Sequence, residues 1–231
     1  MTKTLKAETL QGLLTLLMSK DAMTAFVGDL IDTHIHTSPS SNTLAVPEAI
    51  QVALPIMNKP LAAQNLELIH ANNETYVDTI EELAMGLAIY EKMPDDVHIG
   101  KEHYRTDGYK TTDGMHPGFQ CFLLKDLAND TFCGMACIYF GYNVGKGRFL
   151  YLEALYIDKS CRGRGGGKSI MKTLAVVAKL TGCTGFKWQA LEWNAPALGF
   201  YGSIGAKVQD GLLTTRFAGE KLIEFQKGKL E

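Results

Sequence analysis

The segment Arg162-Gly163-Arg164-Gly165-Gly166-Gly167-Lys168 interleaves fixed positive charge with residues that carry no side chain. It lies between an apolar run suited to a strand, Phe149 to Ile157, and an amphipathic run suited to a helix, Lys168 to Leu180. The N–H groups that open a helix have no partner within it, and glycine lets the backbone close on an anion unobstructed. The chemistry this predicts is an anion cradle for a large phosphorylated ligand.

Two better-known cradles fail on spacing. A Walker A loop needs glycine five positions before the Gly of its Gly-Lys pair, and that position is Arg162, so Lys168-Ser169 only mimics the motif. The dinucleotide fingerprint Gly-x-Gly-x-x-Gly would start at Gly163-Arg164-Gly165, but its third glycine falls on Lys168. A further cluster, Asp32-Thr33-His34-Ile35-His36, is similar to the metal-binding opening of amidohydrolase barrels. Such a barrel takes about 250 residues and needs more ligands downstream. The remaining histidines, His70, His98, His103 and His116, do not supply them, so no metal site is expected.

Arg-x-x-Gly-x-Gly after a strand and before a helix resembles the acetyl-CoA pyrophosphate loop of the GNAT acetyltransferases. Leu191 to Ala206 resembles the closing helix of that superfamily. Leu150-Tyr151-Leu152-Glu153, Glu192-Trp193-Asn194, Phe200-Tyr201 and Gly205-Ala206 together resemble the diamine (spermidine/spermine) acetyltransferases and their thialysine-acetylating relatives. Upstream, Leu87 to Met93 and Tyr139 to Tyr142 match further segments in the same order, so the similarity runs from about Leu66 to the C-terminus.

The resemblance implies an α/β fold: a mixed, mostly antiparallel sheet of six to seven strands flanked by helices. It implies acetyl-CoA as co-substrate, the primary amine of a small polyamine- or diamine-like acceptor, and a homodimer; the alternatives are a thialysine- or lysine-like acceptor, or a noncatalytic acetyl-CoA-binding interaction protein. In its terms Leu155, Tyr156 and Ile157 pair with the pantetheine arm, and Arg162, Gly163, Arg164, Gly165, Gly166, Gly167 and Lys168 hold the pyrophosphate. Asn194, with Ala195, Pro196 and Ala197, borders the same arm, although an asparagine before a helix is equally a plain N-cap. Tyr201 matches the tyrosine general acid, and Glu153 the glutamate that contacts the amine. Tyr90, Glu91, Lys187, Trp188, Gln189 and Asp210 fall at acceptor positions. Two departures stand out: Ala154 replaces the second carboxylate of a Glu-Asp pair, and Leu212 replaces a tryptophan. Both remove contacts to a polyamine, which leaves a lysine analogue in play.

The chemistry asks for these residue types. An alkylamine starts as ammonium, and freeing its lone pair at neutral pH costs roughly 4 to 5 kcal/mol. A carboxylate draws in the cation and accepts its proton; a phenol protonates the departing sulfur.

Composition bounds the rest. With 231 residues, 46% hydrophobic and 21% charged, the chain suits one ordinary domain plus an added element. A net charge of −2 excludes a globally basic surface for nucleic acid or membrane. No apolar run reaches the roughly 18 residues of a membrane span. Cys121, Cys133, Cys137, Cys161 and Cys183 form an odd set without a Cys-x-x-Cys pair, which suits buried thiols in the cytoplasm.

Residues 1–65 read as a helical N-terminal extension and 66–231 as the acetyltransferase domain. Leu10 to Met18 and Met23 to Ile31 each suit a short helix, with Asp21 as a cap between them. Pro47 to Leu54 suits another, with Pro55 as its stop. Leu66–His70 is predicted as a strand, Asn73–Tyr90 as a helix and Asp107–Gly118 as a loop. Gly118–Lys125, Thr131–Tyr142, Phe149–Ile157 and Phe186–Leu191 are predicted strands. Ala195–Ser203 is the next helix, and Lys207–Phe217 a closing hairpin.

Overall fold

In the computed structural model the described residues are 43–110, 117–209, 211 and 214–228. The proposed helices before residue 43, and the Asp32 to His36 cluster, lie outside them. Helix α1 (Val46–Ala62) begins with Pro47 in its first turn, while the Glu48 carboxylate accepts the N–H of Ala45 at 3.2 Å.

The stop predicted at Pro55 does not occur: α1 continues through Pro55 and Pro60. A helix-interior proline costs about 3 kcal/mol. Beyond Pro55, Met57 and Leu61 are both only 1% exposed, and each such side chain contributes about 1.5–3 kcal/mol on burial. Packing therefore offsets much of the local penalty, a tertiary effect that propensity does not register.

The sheet has five strands: β1 (Leu66–His70), β2 (Gln120–Asp126), β3 (Thr131–Asn143), β4 (Gly147–Ile157) and β5 (Gly185–Trp188). They lie side by side in chain order; all neighbours are antiparallel except β4 and β5, which are parallel. Helices α2 (Val77–Glu91) and α3 (Lys101–Gly108) connect β1 to β2, and α4 (Gly166–Leu180) is the crossover from β4 to β5. Helix α3 overlaps the start of the predicted loop.

The predicted count of six to seven strands gives way to five because Lys207–Phe217 contributes no strand among its described residues. A half-buried strand needs one apolar face against a core. Here Val208 is 77% and Phe217 52% exposed, and the Phe217 ring stacks instead on Phe225 of α6 (Gly219–Gln226).

One sheet face packs on α2, burying Ile80 and Leu83 with Cys121, Leu123 and Met135. The other is covered by α4, which buries Ile170, Leu174 and Val177, with α1 beside it. Gly86 lets α2 come close to the sheet, since a Cβ there would stand 3.0 Å from the Tyr156 ring. The chain divides after Gln189 into two compact units. The second holds α5 (Ala195–Ser203) and α6. No helix among the described residues is long and apolar enough to cross a membrane.

Candidate active site

Strand β4 carries one residue too many for its partner. Ala154 pairs with Cys137 and Leu152 with Ile138, so Glu153 is the extra residue of a β-bulge. Its side chain is exposed. The bulge falls where β4 also changes its other neighbour: pairing with β5 ends at Leu152 and Trp188, and β4 runs on for five residues.

Beyond the bulge the ladder parity is set by the N–H of Asp158, which reaches the Cys133 carbonyl at 2.7 Å. Residues 154 and 156 share that parity, so the peptide groups of Leu155 and Ile157 turn away from β3 toward the edge that β5 leaves. These are amide donors and acceptors beside a bulged carboxylate, as an amide-bearing ligand laid along β4 would require.

The glycine-rich loop begins at the end of β4. Gly163 and Gly165 have φ of +77° and +86°, and a Cβ at either would touch nothing within 4 Å. Backbone conformation, not space, demands glycine there. Gly166 differs, because a Cβ would lie 2.5 Å from a Leu124 methyl. Gly165 is the N-cap of α4 and supplies no side-chain cap, and no acidic residue stands in the first turn. The first intrahelical bond is donated by Ser169 to the Gly165 carbonyl. The amides of Gly166, Gly167 and Lys168 thus open a 15-residue helix without a capping side chain, a geometry suited to phosphate oxygens.

The three cations of the loop have different duties. Lys168 is exposed on the first turn. Arg162 donates from Nε to the Ile157 carbonyl at 2.8 Å, and its guanidinium sits 4.9 Å from the Tyr90 ring centroid. That joins the loop to the end of α2, where Tyr90 and Glu91 are the last two residues. Burial pushes the Glu91 carboxyl above its ordinary value.

Arg164 turns inward. Its guanidinium holds both oxygens of Asp126 at 3.0 Å, and also donates to the Gln64 carbonyl at 2.7 Å. Asp126 is only 3% exposed at the end of β2. Arg164 foremost, with Asn129 and the Ala128 N–H, holds its carboxyl far below the usual carboxylate range. This clamp was not legible in the sequence: Asp126 looks like any aspartate opening a turn.

Asp126→Asn or Arg164→Ala is expected to raise KM for acetyl-CoA about tenfold, with kcat within a few-fold, because the loop loses its anchor. A carboxylate with a depressed folded-state pKa stabilises the fold above its unfolded value and loses that contribution as pH falls below about 4. Acid unfolding of Asp126→Asn, followed by circular dichroism, should therefore depend less steeply on pH in that range.

Around the bulge, Tyr139 and Tyr151 form a cross-strand pair with rings stacked at 4.8 Å and 25°. Burial foremost pushes both phenols above their ordinary pKa; the Glu153 carboxylate adds to this at Tyr139, and the neighbouring Tyr139 and then Glu153 add to it at Tyr151, so Glu153 stands near the pair. Tyr151 lay within the matched segment Leu150 to Glu153, but the stacking signalled nothing in sequence. Ala154, at the lost carboxylate, packs with Cys137 and Tyr156 against the Met135 cluster. On β5, Lys187 and Trp188 lie opposite Tyr151 and Leu152, and Gln189 follows the strand.

In the second unit Asn194 caps α5 by accepting the Ala197 N–H at 3.2 Å. Ala195, Pro196 and Ala197 form the first turn, and Tyr201 lies later in the helix with its ring 5.4 Å from Phe200. Asp210 and Leu212 lie outside the described residues. Among the described residues no cluster of His, Cys, Asp or Glu is placed to hold a metal ion. A cleft of about 640 Å³ at the outer edge of β1, bordered by Ile50, His70 and Tyr109, shares no residue with the loop or the bulge.

Residues 77–206 match the acetyltransferase (GNAT) family. A thialysine N-epsilon-acetyltransferase from Sus scrofa is 34% identical over 166 residues, spanning 68% of this chain and 95% of that protein. A spermidine/spermine N(1)-acetyltransferase-like protein 1 from Homo sapiens is 29% identical over 62% of this chain, though only 21% of that longer protein.

Among solved structures, an integron cassette protein from the mobile metagenome of V. cholerae superposes with a TM-score of 0.56 at 23% identity, covering 71% of this chain and 98% of that one. An aminoglycoside acetyltransferase from an uncultured soil sample gives 0.53 at 16%, covering 67% and 96%. At those identities the likeness is one of fold. Loop, split strand and sequence similarity agree: the chain belongs to the acetyltransferase (GNAT) family and is an acyltransferase.

Proposed function

We propose that this protein transfers the acetyl group of acetyl-CoA to the side-chain primary amine of a thialysine- or lysine-like amino acid. The observation that carries this reading is Glu153 at the β4 bulge, beside the outward amides of Leu155 and Ile157 and one turn of chain before the glycine loop. The thialysine acetyltransferases it resembles along two thirds of its length support the acceptor class.

The residues fit acetyl-CoA. The first-turn amides of α4, with Lys168, take the pyrophosphate; Leu155 and Ile157 pair with the pantetheine amides; Asn194 to Ala197 border that arm. Glu153 attracts the acceptor ammonium and receives its proton, directly or through water. The freed amine adds to the thioester carbonyl, whose oxygen gains negative charge near the β4 amides. Collapse breaks the carbon–sulfur bond, Tyr201 gives its phenolic proton to the sulfur, and the nitrogen gives up its second proton, which restores the phenol through water. The products are the N-acetylated amine and CoA. Assignment of Tyr201 rests on its match to the family tyrosine.

The same reading includes a homodimer in the cytoplasm, with residues 1–65 an addition to the acetyltransferase domain 66–231. Tyr90, Glu91, Lys187, Trp188, Gln189 and Asp210 border the acceptor.

A polyamine acceptor is the second reading, favoured by Glu91 and by the similarity to the spermidine/spermine-like protein. Against it, the position of the second carboxylate is taken by Ala154, which packs against the core and has no charge to offer a second ammonium. The deciding experiment is mass spectrometry of products from acetyl-CoA with thialysine, lysine, spermidine and diamines. Thialysine is expected to exceed spermidine at least about tenfold in kcat/KM, the worth of one charged contact. The reverse ratio establishes the polyamine reading instead.

A further inference from the structure

We propose that Lys187 on β5 selects the acceptor by pairing with its carboxylate, so that the site reads an amino acid and turns away a diamine. This rests on the acceptor reading above and assigns the residue that enforces it.

The argument begins with which side chains share a sheet face. Across the register, Tyr139 of β3 lies opposite Tyr151 of β4, and Tyr151 opposite Lys187 of β5, so the three form one row. Phe149, two residues before Tyr151, is on the same face, and its ring fills the space over Gly141, where a Cβ would stand 2.4 Å away. Lys187 Nζ rests 4.1 Å from the Phe149 ring centroid, on that same face, and its four-carbon stem lets it swing along the row toward Tyr151.

The face is thus a platform of stacked tyrosines with an anion at one end and a cation at the other. Glu153 is two residues along β4 from Tyr151, about 7 Å, and Lys187 is one strand over, about 5 Å, so their backbones lie about 8 Å apart. An extended lysine-length side chain spans about 7 to 8 Å from its terminal nitrogen to its carboxylate carbon. An amine at Glu153 therefore brings a carboxylate within reach of the flexible Lys187 stem, with the intervening methylenes or thioether over Tyr139 and Tyr151.

Charge makes the discrimination. A diamine of equal length would set its second ammonium toward Lys187, a like-charge contact, and Ala154 offers no carboxylate to compensate. Burial and the Glu153 carboxylate both raise the Tyr139 and Tyr151 phenols, which keeps them protonated and uncharged in this row. Glu153 and Lys187 therefore bring opposite charges to the two ends of this row.

The test compares thialysine with its decarboxylated counterpart, bis(2-aminoethyl) sulfide, which differs only in the carboxylate. Wild type is expected to favour thialysine. Lys187→Ala should raise KM for thialysine about 10- to 100-fold, the range for losing a charge-assisted hydrogen bond, with kcat within a few-fold. KM for the sulfide should stay the same or fall, and Lys187→Arg should restore much of the thialysine preference.

A variant that loses both substrates equally, or keeps the wild-type preference, overturns the carboxylate role and leaves the acceptor reading standing. Wild type that acetylates neither compound overturns the acceptor reading and this inference with it.

Discussion

Tyr201→Phe is expected to lower kcat by about 100- to 1,000-fold while leaving the dissociation constant for acetyl-CoA within about twofold. The substitution deletes one oxygen and keeps the ring, so the packing of α5 and the Phe200 contact at 5.4 Å survive. On the proposed mechanism it removes the proton destined for the departing sulfur. A thiol of pKa about 8.5 leaves poorly as a bare thiolate from a partly dry cleft, and a phenol of pKa about 10 supplies the proton while staying loaded at neutral pH.

Unchanged kcat in Tyr201→Phe, with CoA binding intact, removes Tyr201 from the chemistry.

The clearest features in the sequence were those that local conformation dictates. Arg162 to Lys168 announced a turn that needs glycine, and Gly163 and Gly165 both have positive φ. The central strand and the crossover helix followed from hydrophobic periodicity, whereas the sheet arrangement came from the resemblance, with six to seven strands expected where five are described.

What sequence hid were long-range effects. The β-bulge at Glu153 arises from register against β3, and nothing in Leu152-Glu153-Ala154 marks an extra residue. Arg164 looked like charge for a phosphate, yet its guanidinium faces Asp126, a partner 38 positions away. Pro55 reads as a helix stop on any local scale, and only burial of Met57 and Leu61 shows why α1 continues. The closing hairpin failed for the opposite reason: among the described residues of that segment, Val208 and Phe217 are exposed and find no core face. The roles proposed for Tyr201 and Asn194 rest on family resemblance alone, because neither a tyrosine nor an N-cap asparagine announces a role on its own.

Gly165→Ala carries the second large effect, because it strikes the cradle itself. At φ +86° an alanine is strained in open space, with no neighbour to blame, so the backbone relaxes toward negative φ. The amides of Gly166 and Gly167 follow from this residue, and turning either away from a diphosphate loses a charge-assisted hydrogen bond of about 1.5–3 kcal/mol. The expected outcome is a CoA dissociation constant raised about 10- to 100-fold. The strain itself costs about 1 kcal/mol, a shift in thermal midpoint of a few degrees, so the variant still folds.

Calorimetric titration of CoA into wild type and Gly165→Ala, with thermal unfolding alongside, tests the central claim most directly. Saturable binding by the wild type that weakens by one to two orders of magnitude in a folded variant is the predicted result. No binding by the wild type, or equal affinity in the two proteins, would contradict it.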